Sequence, residues 1–562
     1  MSKTLVLALT ASLVLAGCGK DAAEQQADVA GSQQPWAEFA ATVIDDYYAR
    51  NPETAVDAGL HQYDGQMSDL SMAAVDEYAA WLDAVLAEAA TYADLEGIEA
   101  FERDYLSTAL QGELFWIRES GFLTSNPLAY AGAIGISVYV DREYAPLDQR
   151  LLAYTQYMEQ VPAMLEQMKK NLQPPLPAPY VEMGHRVFSG LVEYLSTTVP
   201  GIFSPVADEQ LQRRFKAAND AAVEAIQQSV EWLDGLKASA TDEFALGEET
   251  FLKMLSATQG VDISLEELTA AGQRNLDANL DMLFEACAEF APGESTEACV
   301  AKVSGNKPEG GAVAGARAQL PMLKEFVVDN NIASIPGTED ALVDEAPPHR
   351  RFNFAYINIP GPFETGLPST YYIAPPDPEW SEEDQLAYVP GEADLLAVSV
   401  HEVWPGHFLQ FLHSNRTENN VGQHFGTYTF SEGWAHYTEQ MMVDAGLGNG
   451  DPEVRIGQLL NALLRNVRYM SAIGLHTGGM TVEESQRMFE EKAFQDFGNA
   501  SQQAYRGTYD PGYLNYTLGK LMINKLREDW TTGRGGREAW GRFHDQFLSY
   551  GVPPIPLVRE QM

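Results

Sequence analysis

His401-Glu402-Val403-Trp404-Pro405-Gly406-His407 is the stretch on which the reading of this chain turns. A catalytic zinc takes three protein ligands of the His/His/carboxylate type and keeps one position open for water. A further carboxylate, outside the coordination shell, takes that water's proton. The common arrangement is H-E-x-x-H on one helix, with the imidazoles at i and i+4. Here Pro405 stands where the second histidine belongs, and His407 follows His401 by six residues. On a straight helix six residues turn through about 600°, roughly 120° short of two turns, so the rings diverge. Pro405-Gly406 therefore has to break the helix to bring His407 round. Removal of Trp404-Pro405 leaves H-E-x-G-H, so the string reads as a zinc motif carrying a two-residue insertion.

Downstream the pattern is reinforced. Five of the ten histidines (His401, His407, His413, His424, His436) fall within 36 residues. Ser431-Glu432-Gly433-Trp434-Ala435-His436-Tyr437-Thr438-Glu439 places Glu432, His436 and Glu439 at i, i+4 and i+7, on one helical face. Glu432 is the expected third ligand. His436 and Glu439 are expected to orient the ligand imidazoles. A helix pair with a satisfied internal polar network is the bland alternative.

The strings HEVWPGHFLQ (401–410) and FSEGWAHYTE (430–439) resemble the signatures of the bacterial domain-of-unknown-function family 885, regarded as zinc metallopeptidases of the gluzincin type. The resemblance continues through GEETFLKMLSATQGVDISLEELTAAG (247–272), LLRNVRYMSAIGLHTGGMTVEES (463–485) and YDPGYLNYTLGKLMINKLR (509–527), and covers most of 35–555. It implies one Zn2+ per chain on His401, His407 and Glu432, with Glu402 as catalytic base. It also implies a mainly α, zinc-peptidase-like fold around a deep central cleft, and a peptide substrate. Ester or non-peptide amide hydrolysis uses the same chemistry. A non-catalytic peptide- or metal-binding lipoprotein is the reading from another class, and Glu402 argues against it, because pure binding needs no unligated carboxylate. The tetrahedral oxyanion needs a further donor, for which His476, Tyr513 and Tyr516 are candidates. Arg465 and Arg468, at i and i+3, either clamp a substrate carboxylate or serve structural pairing.

The rest of the chain sets the context. Lys3, an apolar run from Leu5 to Ala16 and then Leu15-Ala16-Gly17-Cys18 read as a signal peptide (1–17) ending in a lipobox, with Cys18 lipidated. Residues 18–34 read as a flexible tether, and Gly19 resembles outer-membrane sorting, so the body is expected to face the periplasm from a lipid anchor. A net charge of −44 argues against nucleic acid and against a basic membrane-binding face. Val75, Tyr78, Leu82, Val85 and Leu86 form one apolar helical stripe. Ser264 with Glu267 and Thr481 with Glu484 read as capping boxes, and Val454–Met470 as a further helix. The Gly/Ala/Pro-rich run 304–316 suggests a junction between an N-terminal helical subdomain (35–303) and a C-terminal catalytic one (304–562). Phe352–Ile359 and Ser369–Ile373 read as a short antiparallel β pair, either a buried ribbon or an edge that receives an extended peptide. Cys287 and Cys299 are expected to form a local disulfide, with free buried thiols as the alternative.

Overall fold

The computed structural model of the protein describes residues 34–347, 350–351, 354–364 and 366–562. The expected signal peptide, Cys18 and the tether up to residue 33 lie outside the described residues. Nearly all of the regular structure is helical, and no helix among the described residues is long and apolar enough to cross a membrane.

Local chemistry explains where the helices begin. Ser71 opens Met72–Ala89 by accepting from the Ala74 amide, and that helix buries Val75, Leu82 and Val85 while Tyr78 and Leu86 are half-buried. Thr481 and Glu484 form the full reciprocal capping box. At Ser264 only half of it forms: the hydroxyl accepts from the Glu267 amide, but the Glu267 carboxylate accepts from that hydroxyl rather than from the backbone. The helix expected over Val454–Met470 runs from Pro452 to Thr477, with proline at its first position and Asp451 accepting from the Glu453 amide.

The apolar residues gather into four clusters. The first joins helices between residues 128 and 236, among them Ala178–Thr197 and Glu209–Leu236. A second packs Ala312–Asp329, the sheet, Glu392–Glu402, Tyr428–Asp444 and Asn515–Thr531 together. The third combines Leu265–Phe290 and Pro452–Thr477 with Phe115. The fourth holds Trp36–Arg50 and Gly97–Arg118, and it includes Val421, with Phe425 and Tyr550 packed against it. The expected boundary at 303/304 falls inside the helix Thr296–Gly305, and the third and fourth clusters draw residues from both sides of it. Only 306–311 of the Gly/Ala/Pro-rich run forms a loop, because Ala312–Asp329 is already helical.

The sheet has three strands, β1 (Leu342–Glu345), β2 (Ala355–Asn358) and β3 (Thr370–Ile373), in the order β1-β3-β2. The antiparallel pair is present as β2 and β3, in register Tyr356 to Tyr372. β1 adds in parallel to the other side of β3, so the sheet is mixed rather than purely antiparallel. A disulfide joins Cys287 to Cys299, Cα to Cα 5.7 Å, and ties the end of Leu265–Phe290 to Thr296–Gly305.

Candidate metal centre

The helix Glu392–Glu402 stops at the glutamate of the H-E pair. Val403 leaves helical geometry, and Gly406 turns its amide back onto the Val400 carbonyl at 3.0 Å. Trp404-Pro405 is a cis peptide. A Cβ on Gly406 would lie 1.8 Å from the His401 carbonyl oxygen, so only glycine lets the chain pass so close to the helix it has just left. A new helix then starts at His407. The Pro405 carbonyl accepts from the Trp434 indole at 2.9 Å, which fastens the turn to Tyr428–Asp444. The two imidazoles consequently face each other edge to face, with ring centroids 4.9 Å apart.

Glu432 comes from Tyr428–Asp444, which lies almost backbone to backbone on Asn515–Thr531. A Cβ on Gly433 would stand 2.5 Å from the Gly519 Cα. Glu432 Oε2 lies 3.3 Å from His401 Nε2 and 3.3 Å from His407 Nε2. The three ligand atoms fall within 4.8 Å of one another. Ligands held about 2.0–2.1 Å from a tetrahedral zinc stand roughly 3.3 Å apart. Glu432 Oε2 is buried and makes no hydrogen bond among the described residues. An acceptor left so by the protein, between two imidazole nitrogens, fits a cation. The donor set and its spacing therefore suit a metal ion of the zinc kind.

The surroundings tune these groups. Glu439 accepts from His401 Nδ1 at 2.7 Å and lies 3.1 Å from His436 Nδ1 and 3.3 Å from an Arg465 nitrogen. Burial would raise the Glu439 carboxyl, but Arg465, His436 and the imidazole hydrogen bonds outweigh it and hold it well below the usual range. Glu439 thereby keeps Nδ1 of His401 protonated and frees Nε2 for a metal. Burial likewise opposes the Glu432 charge, and His407 and His401 more than offset it. For His401 itself burial disfavours charging, yet Glu432 and Glu439 raise it to about 9. His436 is pushed down to about 3, by burial and then by Lys520. It touches Glu439 rather than a ligand, so it supports the carboxylate that orients His401 and does not itself orient an imidazole. Glu402 opens on the cavity and forms no ion pair among the described residues.

The other expected residues divide. Tyr516 lines the cavity and stacks towards His401, ring centroids 6.2 Å apart. Tyr513 points elsewhere, giving its hydroxyl to Ser471 at 2.8 Å in the core. His476 is also core: Nδ1 accepts from the Leu246 amide at 3.3 Å and Nε2 gives to the Gly507 carbonyl at 2.8 Å. With both nitrogens on backbone and neither residue lining the cavity, Tyr513 and His476 are not placed to meet an oxyanion there. His413 and His424 likewise bond to the Ser334 carbonyl and the Tyr48 hydroxyl, not to the candidate centre.

Arg465 and Arg468 both line the cavity. Arg465 is paired structurally with Asn461 and Glu439, whereas Arg468 makes a side-chain bond to Gln503 and no ion pair with a carboxylate among the described residues. Arg506 joins them and was not singled out by the sequence pattern. Its signal was the Arg506/Asp510 spacing of four residues, which forms an ion pair at 2.9 Å. The cavity has a volume of about 3030 Å³ and lies between the N-terminal helices, around Ile134–Ser137 and Ala178–Thr198, and the metal-site helices.

Solved structures share this architecture. One from Shewanella oneidensis, described as "a putative lipoprotein of unknown function", is 24% identical with a TM-score of 0.77 over 94% of this chain and all of its own. Another, from Colwellia psychrerythraea and described as a "putative lipoprotein", is 16% identical with a TM-score of 0.77, over 93% of this chain and 97% of its own. At these identities the likeness speaks for the fold alone. No curated protein matches the chain. The family described as "Bacterial protein of unknown function (DUF885)" matches residues 52–562, and the chain belongs to that family.

Proposed function

We propose that this protein is a zinc-dependent hydrolase that cleaves peptide bonds in short peptides, exported and held to the membrane by a lipid on Cys18. One observation carries the reading: His401, His407 and Glu432 converge on a single point while Glu402, without an ion pair among the described residues, opens on the same large cavity. Bound zinc would supply Lewis acidity, making a water acidic and polarising a carbonyl. Glu402 removes the proton from the attacking water and delivers it to the departing amine as the C–N bond breaks. Tyr516 is the residue positioned to donate to the oxyanion. Glu439 holds His401 in the tautomer that leaves Nε2 as ligand.

The peptide substrate is supported by β2. It is an edge strand of the sheet, and its residues line the same cavity as Glu402. An extended chain can add to such an edge through main-chain hydrogen bonds. The lipid anchor is supported by Leu15-Ala16-Gly17-Cys18 and by the word lipoprotein in the descriptions of the two similar solved structures named above. Gly19 favours the outer membrane, facing the periplasm.

The test is metal analysis together with hydrolysis of a defined peptide pool, with and without a chelator. One zinc per chain and chelator-sensitive cleavage are expected. Glu402→Gln should keep the metal and lose on the order of 1000-fold in rate. Full activity in that variant, or cleavage indifferent to chelation, overturns the proposal.

A further inference from the structure

We infer that Arg468, together with Arg465 and Arg506, receives the C-terminal carboxylate of the peptide, which makes the protein a carboxypeptidase releasing one or two residues rather than an endopeptidase. The inference rests on the peptidase reading above and adds the substrate class.

Three guanidinium groups surround one ring. The Cζ atoms of Arg465, Arg468 and Arg506 lie 5.9, 5.0 and 6.0 Å from the Tyr516 centroid. All three line the cavity. Arg465 is engaged by Glu439, and Arg506 by Asp510 and the Tyr428 hydroxyl. Arg468 is only 8% exposed and has Gln503, not a carboxylate, as its partner. Arg465 Nε is buried without a hydrogen bond among the described residues. A buried cation lacking its anion is costly, and the cost is relieved when a ligand brings one. The planar fork of arginine matches a carboxylate through two parallel hydrogen bonds.

Charge balance points the same way. Across the chain 36 basic residues face 80 acidic ones. The cavity wall departs from that ratio, with nine basic and ten acidic residues among those described. An anionic chain end thus meets less repulsion inside than at the outer surface.

Distance sets the class of cleavage. Arg468 Cζ is 5.0 Å from the Tyr516 ring, and that ring is 6.2 Å from the His401 ring, so guanidinium and ligand imidazole are at most about 11 Å apart. An extended residue spans about 3.3–3.6 Å. Two residues and one guanidinium–carboxylate contact nearly fill such a gap, and a long leaving segment does not fit it.

The experiment uses the zinc-loaded full chain with N-acetyl-tetra-alanine as free acid and as C-terminal amide. Cleavage of the acid should exceed that of the amide by about 100-fold in kcat/KM, the size expected when one partner of a buried charge pair is removed. Mass spectrometry should find alanine or dialanine released from the C-terminal end. Arg468→Gln should bring the acid-to-amide ratio towards one, and Arg468→Lys should restore part of it. A wild-type ratio near one, cleavage that needs no free carboxylate, or an unchanged ratio in Arg468→Gln overturns the inference. The wild-type comparison stands even if both variants fold poorly. Calorimetry of N-acetyl-dialanine, as acid and amide, on zinc-loaded Glu402→Gln separates the two readings. A preference for the acid without any hydrolysis by the wild type sustains the carboxylate site and rejects the peptidase. Hydrolysis without that preference does the reverse.

Discussion

The middle and the end of the helix Pro452–Thr477 make an instructive pair. In the middle, Arg465 reaches Glu439, which holds His401. Near the end, His476 is as deeply buried as His401, at 1% against 4% exposure. His476 bonds through both ring nitrogens, whereas His401 bonds Glu439 through Nδ1 and turns Nε2 towards Glu432, 3.3 Å away. Carboxylates surround His401 and, against burial, raise it to about 9. Backbone groups hold His476, and burial lowers it to about 4. A charged partner prepares an imidazole for a cation or a proton, whereas a neutral backbone cradle makes it a core side chain. Burial and residue type are shared; the electrostatic setting decides the role.

The largest expected effect tests that contrast directly. His401→Ala should abolish zinc uptake, read by elemental analysis, while His476→Gln keeps one zinc per chain. Loss of zinc in both would place His476 at the centre and dissolve the comparison. Next in size is the tyrosine pair. Tyr516→Phe should lower kcat by about 100-fold, as loss of an oxyanion donor does. Tyr513→Phe should leave kcat in place and cost about 1 kcal/mol in denaturant unfolding, the value of one buried hydrogen bond. Glu439→Gln sharpens the comparison further: zinc affinity should fall about 10- to 100-fold in a competition titration, because the orienting acceptor is weakened.

The smallest effect is in pH. His476 is neutral when folded and binds a proton below its ordinary 6.5 when unfolded, so stability falls as pH drops from 6.5 towards 4. Over the part of that window between pH 6.5 and 5 the loss is about 2 kcal/mol. Denaturant midpoints for His476→Gln should show a decline shallower by that amount. In the metal-free protein His401 has the opposite slope: its contribution is complete below 6.5 and fades as pH rises through about 9. An equal slope for the wild type and His476→Gln would show that His476 is not held neutral.

Much of the candidate site was legible because it is written locally. The H-E pair, the Pro405-Gly406 break and the Glu432/Glu439 spacing each lie on one short segment, and helical geometry alone says what must face what. The disulfide was legible for the same reason, with both cysteines on neighbouring helices. What escaped depends on rotation or on distant pairing. Tyr513 and Tyr516 are three residues apart, but Tyr513 sits in a 3-10 turn, Pro511–Leu514, and Tyr516 in the helix that follows. That change of winding turns one ring into the core and the other towards the cavity, and no periodicity read across the junction foretells it. β1 carries one buried residue, Val343, and owes its strand state to β3, some thirty residues on. Arg506 belongs to the site only because its helix, Phe497–Tyr509, lies along the cavity.

The fourth apolar cluster has a consequence for the order in which the protein comes into being. Its helices lie within residues 36–118, yet it is completed by Val421, Phe425 and Tyr550, more than 300 residues further along the chain. Tyr105 reaches the Phe425 carbonyl, and the Phe101 ring packs 5.4 Å from that of Tyr550. A chain that emerges from its N-terminus must carry these helices with an unfinished core while some 300 further residues are added. Such late closure makes the N-terminal helices depend on contacts of high sequence separation, which form slowly.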